Sequence, residues 1–175
     1  MLASDRRTKG GEQMNAENTK YLFDTYPILY RDHTAPITQS LMAFGFEHGD
    51  GWFELIDKLS AKLEMLNNEP ACPYYTIATQ VKEKFGTLRF YAHFVRKVGE
   101  ALTDDERAAE RVWGDIIWDI TDRAEGNSAW VCEECGDHGE TYTDGWYRTL
   151  CTYHRAHQEN RQFDRTVKVD VTEPA

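Results

Sequence analysis

The chain is poor in cysteine and proline, with four and five of them in 175 residues. Four cysteines are too few for the disulfide-dense scaffold of a small secreted protein. No apolar run approaches the roughly 20 residues needed to span a bilayer, so no membrane partner is expected. Arg6 and Arg7 are not followed by an apolar segment, so the chain reads as a cytoplasmic protein without a secretory signal. Also missing are a phosphate-binding glycine loop, a dinucleotide fingerprint and a Gly-x-Ser-x-Gly elbow, and the enzyme classes built on them go with them. Positive charge is short as well. Twenty Lys and Arg face thirty Asp and Glu, a net charge of −10, which argues against tight nonspecific binding to nucleic acid.

What remains is enough for a packed core. Hydrophobic residues are 41% and aromatic residues 13% of the chain, a composition of folded rather than disordered proteins. The charge is unevenly placed. Residues 98–140 hold 13 acidic and 3 basic residues, which alone gives −10, while residues 82–97 hold 5 basic and 1 acidic residue. One acidic face and a modestly basic one are expected.

The three cysteines near the C-terminus carry the clearest chemistry. Cys132-Glu133-Glu134-Cys135 is followed, after 15 intervening residues, by Cys151-Thr152-Tyr153-His154. Two ligand pairs at this spacing predict one Zn²⁺ held by three thiolates and one imidazole. A filled set of four ligands is the structural arrangement, because a catalytic zinc keeps one position open. His157 and His138 are alternatives to His154 as the fourth ligand. Gly136 suits the positive-φ turn after a Cys-x-x-Cys knuckle. Residues 142–147 read as a short hairpin turning at Asp144-Gly145, and Cys151 and His154 as neighbours on the first turn of a helix. Knuckle, hairpin and helix resemble a treble-clef zinc finger over residues 130–160. Cys72, between Ala71 and Pro73, reads as a buried or loop thiol.

The remaining chain predicts an α+β fold, helices packed on a small antiparallel β-sheet. Residues 1–14 read as a disordered extension, 15–127 as the α+β body, 128–162 as the zinc module and 163–175 as a tail. Lys9-Gly10-Gly11-Glu12 can be encoded by a strong bacterial ribosome-binding sequence, so translation is expected to start at Met14; the intact mass of protein made from the native gene reads this directly. Helices are expected from Asn15 to Tyr26, from Pro36 to Phe44, and from an Asp50 N-cap to Asn67. The last of these places Trp52, Leu55, Ile56, Leu59, Leu63 and Leu66 on one face, and Glu54, Asp57, Lys58, Lys62 and Glu64 on the other. The period then changes to two. Residues 77–82 and 88–94 predict a hairpin turning at Lys84-Phe85-Gly86. Thr103 and Glu106 form a capping-box pattern. It opens a helix with Val112, Trp113, Ile116, Ile117 and Ile120 on its buried stripe, ended by Gly126. Val167, Val169 and Val171 suggest an edge strand.

Two stretches offer a candidate binding surface: His48, Asp50 and Trp52 in a turn, and Lys82, Lys84, Arg89 and Tyr91 on the hairpin. The hairpin's basic residues interleave with aromatics, as single-stranded nucleic acid binding requires. With Glu47, Glu54 or Asp57, the turn could instead form the acid/base or metal site of a hydrolase. Gln80-Val81-Lys82 faintly resembles the core of restriction-like nucleases, but the Asp that should precede it on a strand is missing. A nuclease of the HNH type lacks its His-Asn pattern here. The acidic helix could face a basic partner.

The runs 45–53 and 80–91, with Gly145-Trp146 and Thr149-Leu150-Cys151, resemble stretches in small uncharacterised proteins of tailed phages and prophages. The resemblance implies a phage accessory protein working in the cytoplasm of a bacterial host. The leading expectation is a zinc-stabilised, non-enzymatic protein that binds a host or phage protein and so inhibits a defence system. A nucleic-acid-binding zinc-finger protein and a metal-dependent hydrolase or nuclease are the alternatives. No catalytic residue is assigned.

Overall fold

The structure, a computed structural model, describes residues 13–97, 104–143 and 145–157. The expected cap at Thr103, the valines of the suggested edge strand and the tail over 163–175 lie outside the described residues, as do the first twelve residues of the expected extension. Gln13 and Met14 belong to the body: Met14 is buried at 4% exposure and its amide donates to the Phe46 carbonyl at 3.3 Å.

Helix α1 (Ala16–Thr25) starts at Asn15, whose side chain accepts from the Asn18 amide at 2.8 Å and so satisfies one of the open N–H groups of the first turn. Short 3₁₀ turns follow at Arg31–Thr34 and Leu41–Phe44. The helix expected from Pro36 to Phe44 is therefore broken. Ser40 is extended and caps only the second half, by accepting from the Met42 amide at 3.2 Å. Strand β1 (Phe46–Glu47) and a 3₁₀ turn (Asp50–Trp52) lead into α2 (Phe53–Asn68). Strands β2 (Tyr74–Lys84) and β3 (Thr87–Arg96) form the hairpin, and α3 (Asp104–Ser128) follows.

The fold is α+β, as expected, but the sheet is mixed. β2 and β3 pair antiparallel, while β1 runs parallel to β2 through Phe46↔Val81 and Glu47↔Lys82. A β1 strand of two residues carries no alternation that a sequence could reveal. The hairpin turn has φ of 55° at Phe85 and 77° at Gly86, the two positive values of a type I′ turn. A bulge between Ala78 and Gln80 shifts the register and leaves the Thr79 carbonyl to accept from the Ser40 hydroxyl at 3.5 Å.

Helices α2 and α3 cover one face of the hairpin. Ile56, Leu59, Leu63 and Leu66 of α2 meet Ala78, Val81, Leu88 and Phe90 of the sheet, with Ile117 and Ala124 of α3. Each fully buried Leu or Ile contributes about 1.5–3 kcal/mol through removal of apolar area from water. Helix α3 also closes the sheet edge. The Leu88 amide donates to Ser128 Oγ and the Phe90 amide to Glu125 Oε1, both at 2.8 Å. Two side chains thus replace a missing strand, which removes an open edge.

Three expectations about faces need correction. Glu64 is buried at 9% exposure, because its carboxylate accepts from the Ile28 and Leu29 amides at 3.0 and 2.8 Å. The buried stripe of α3 is narrower than its apolar residues: Val112 and Ile116 are 58% and 38% exposed, while Ile117 is at 2%. Finally, α3 runs through Gly126 to Ser128, and Gly126 has open space around it.

Candidate metal centre

The C-terminal module begins where α3 ends. The Cys132 amide donates to the Asp137 carbonyl and the Gly136 amide to the Cys132 carbonyl, both at 2.8 Å. Gly136, at φ 82°, makes the tight return that this knuckle needs. Strands β4 (Glu140–Tyr142) and β5 (Arg148–Leu150) form the second hairpin. It is shorter in strand and longer in loop than a two-residue Asp-Gly turn. Residues 152–157 are helical.

These elements bring Cys132, Cys135, Cys151 and His154 together, with ligand atoms all within 4.8 Å of one another. The Sγ atoms of Cys135 and Cys151 are 3.8 Å apart, and His154 Nδ1 lies 3.5 Å from Cys132 Sγ and 3.2 Å from Cys151 Sγ. The four residues could hold a metal ion, and among the described residues no other cluster of three or more such side chains does. His138 stacks on Trp130 and His157 packs on Tyr153, both outside this group. Cys72 is a buried free thiol, as expected. Burial and the neighbouring Cys132 push the Cys135 thiol up to about 12. Against the opposing effect of burial, hydrogen bonds with His154 and the other sulfurs hold Cys151 down to about 7. A divalent cation among them would allow three thiolates at once.

Arg148 holds the knuckle to the second hairpin by pairing with both Glu133 and Glu134. Glu133 is almost fully buried, and burial pushes its carboxyl up to about 7 against the pull of Arg148.

The turn at residues 48–52 is where the body meets this knuckle. The Gly51 amide donates to the Glu133 carbonyl at 2.9 Å, and Trp52 Nε1 donates to the Val131 carbonyl at 2.8 Å. A Cβ on Gly49 would stand 2.3 Å from the Glu133 carbonyl oxygen, and one on Gly51 would stand 2.1 Å from that of Cys132. A second contact lies at the β2–β3 turn: the Gly86 carbonyl accepts from Thr149 Oγ1 at 2.5 Å, and a Gly86 Cβ would meet Thr141 at 2.7 Å. Backbone therefore lies on backbone at both contacts.

The two stretches of the candidate binding surface part company here. His48 and Trp52 are both at 0% exposure and present no surface. Asp50 does not cap α2. Although burial opposes it, hydrogen bonds from Asn15 and Asn18, at 2.9 and 3.1 Å, hold its carboxyl below the usual carboxylate range and tie down the start of α1. Nor do the proposed hydrolase residues converge. Glu47 is exposed and accepts from Gln80 at 2.8 Å, Asp57 accepts from the Tyr26 hydroxyl at 2.6 Å, and Glu54 pairs with Lys58. Lys82, Lys84, Arg89 and Tyr91 do share the open face of the hairpin. Lys82 lies over the Tyr91 ring at 5.9 Å, and Arg89 reaches Glu125 at 3.9 Å. Lys82 and Tyr91 also line an open groove of about 470 Å³ with Ile37, Leu41 and Gln80.

His48 supplies a prediction. Its Nδ1 lies 2.9 Å from the Gly49 carbonyl, its Nε2 has no partner, and Phe46 and Trp52 pack on the ring. Burial pulls its pKa from 6.5 down to about 4, against the smaller opposing effects of the Gly49 hydrogen bond and Asp50. The unfolded chain thus binds a proton that the folded one refuses between these values. The stability from keeping His48 neutral is complete above pH 6.5 and is lost as pH falls towards 4, by roughly 3 kcal/mol. Urea melts of the parent and His48→Leu across this range isolate the effect. The parent should lose stability more steeply, and parallel profiles would contradict the assignment.

The chain matches no protein-family model, no curated protein and no solved structure.

Proposed function

We propose that the chain is a zinc-stabilised, non-enzymatic accessory protein that binds a basic protein partner through the outer face of α3. For a tetrahedral zinc with Zn–S near 2.3 Å and Zn–N near 2.0 Å, the S···S and S···N edges come to about 3.8 and about 3.5 Å. The observed separations of 3.8, 3.5 and 3.2 Å support zinc over an oxygen-loving ion, as does the Cys₃His donor set. Knuckle, hairpin and helix in this order support the treble-clef reading. Four donors leave no open position for substrate or water, so the metal serves the fold.

The single observation that carries the binding role is Trp118. It is 67% exposed in the middle of α3, one turn from the exposed Asp115 and Asp122; helical spacing sets the exposed Val112 and Ile116 on the other flank of the same outer face, with Asp119 between. Tryptophan is among the residues most enriched in binding hot spots, and one left exposed on a helix flank marks an interaction surface. The acidic rim favours a partner of opposite charge. A phage origin and inhibition of a host defence protein extend this reading on the sequence resemblance alone.

Immobilised protein, challenged with lysate of a bacterial host, is expected to retain a basic protein that Trp118→Ala releases and that elutes as salt rises. Retention unchanged in Trp118→Ala would sink the assignment of the surface, and no basic protein retained would sink the function.

A further inference from the structure

We infer that the tips of the two hairpins together form a stacking platform for single-stranded nucleic acid. This surface is separate from the α3 face and goes beyond the function proposed for it. Phe85 stands at φ 55° with its side chain 63% exposed. Positive φ is unusual for any residue other than glycine, and for a bulky aromatic it carries strain. Asn or Gly at this turn position would remove the strain. The ring is nevertheless displayed to solvent, and it is not alone. Tyr147, from the loop between β4 and β5, meets it edge-on at a centroid distance of 5.8 Å and is itself 43% exposed. Trp146, next in that loop, is 67% exposed. The two tips keep this arrangement because Gly86 lies against the backbone of Arg148 and its carbonyl is bonded to Thr149.

Charge complementarity identifies the occupant. Lys84 lies over the Phe85 ring at 5.3 Å, and Lys82 stands on the same face of β2, over Tyr91 at 5.9 Å. From the position of Gln80, which pairs with Tyr91, to Phe85 is about 17 Å of strand at about 3.3 Å per residue. Along it stand two ring–ammonium pairs, Tyr91 with Lys82 and Phe85 with Lys84, which suits bases and phosphates in succession. Of the five basic residues in 82–97, Arg96 and Lys97 lie at the far end of the hairpin and Arg89 faces Glu125, so Lys82 and Lys84 supply the positive charge at the tip in a chain of net −10. An anionic strand would therefore be directed here and away from α3. A duplex hides its base faces and would not use the aromatic rings.

The test uses the full chain and a fluorescein-labelled oligothymidylate of about twelve nucleotides. Anisotropy should report binding at about 50 mM salt that weakens with salt at a log–log slope of about −1.4, from two lysines at about −0.7 each. Phe85→Asn is expected to lose at least about tenfold in affinity, and its thermal midpoint should equal or exceed that of the parent because Asn accepts positive φ. Tyr147→Ala should lose a similar factor, and Lys84→Ala should flatten the salt slope. A duplex of equal length should bind at least about tenfold more weakly. Absence of binding at low salt, full affinity in both Phe85→Asn and Tyr147→Ala, or equal affinity for duplex would overturn the proposal. So would a protein captured through Phe85 with no oligonucleotide bound, which would replace nucleic acid by protein as the occupant.

Discussion

Withdrawal of the metal, by excess chelator or by Cys132→Ala, is expected to melt the whole described fold in one transition rather than the C-terminal module alone. A structural zinc, the ion proposed for this site, is worth about 10–16 kcal/mol in finger peptides, against a whole-domain margin of about 5–15 kcal/mol. The module has little else to hold it. Its apolar cluster is Cys132, Leu150 and Cys151 with Tyr142 packed against them, and it rests on glycines of the body: Gly49 and Gly51 against its knuckle, and Gly86 against its hairpin. The contacts that would be lost reach deep into the body. Trp52 is fully buried among the residues of the main core, and its indole nitrogen is bonded to the Val131 carbonyl one residue before the first ligand. Without the knuckle, that N–H loses its partner in an apolar site, at a cost of about 1–3 kcal/mol. The Leu88 and Phe90 amides depend on Ser128 and Glu125, which sit in the last turn of α3 immediately before the module. Far-ultraviolet circular dichroism, which follows the helices of the body, and zinc release measured by a chelating dye should therefore change together. A body that keeps its helices and melts later, in a second transition, would show that the glycine contacts are incidental.

The parts of the fold that were legible in the sequence are those whose signal repeats over a long stretch. The α2 stripe of Ile56, Leu59, Leu63 and Leu66 and the alternation over 88–94 each commit many residues to one period; the structure buries the stripe and Leu88 and Phe90, while Phe94, beyond the reach of the helices, stays 52% exposed. The four clustered residues, Cys132, Cys135, Cys151 and His154, were legible for a different reason: Cys-x-x-Cys and Cys-x-x-His are short-range geometry, so spacing alone places each pair. What escaped was any role assigned from across the chain. Glu64 reads as a solvent residue until the Ile28 and Leu29 amides supply its partners. Val112 and Ile116 read as core because they are apolar, yet α3 has only one stripe facing the sheet and α2. His48, Asp50 and Trp52 cluster in sequence as an acid/base site would. The fold sends them two ways: the imidazole and indole inward, and the carboxylate to Asn15 and Asn18. Gly49 and Gly51 look like ordinary turn residues, and only the position of the knuckle reveals that their missing side chains are the site at which two parts of the chain meet.

Gly51→Ala is expected to destabilise the protein by at least about 3 kcal/mol and to weaken metal retention, although Gly51 does not have a positive φ and is not a ligand. The cause is steric. The added methyl would stand 2.1 Å from the Cys132 carbonyl oxygen, 2.6 Å from the Cys135 amide nitrogen and 2.5 Å from that of Gly136. All three are backbone atoms of the knuckle, so no rotamer change can make room. The knuckle must move away by an ångström or more, and the hydrogen bonds from Gly51 N to Glu133 and from Trp52 Nε1 to Val131 go with it. Because Cys132 and Cys135 lie on the displaced backbone, the sulfurs leave their positions relative to Cys151 and His154. Gly126→Ala is the matched control. It lies within α3 with nothing within 4 Å of its added methyl, so the change should stabilise by about 0.5–1 kcal/mol through helix propensity and a less free unfolded chain. Paired urea melts, with metal content measured on each variant, separate the outcomes. If Gly51→Ala behaves like Gly126→Ala, the knuckle does not rest on this turn. If it loses stability while holding its metal as tightly as the parent, the turn supports the body without positioning the ligands.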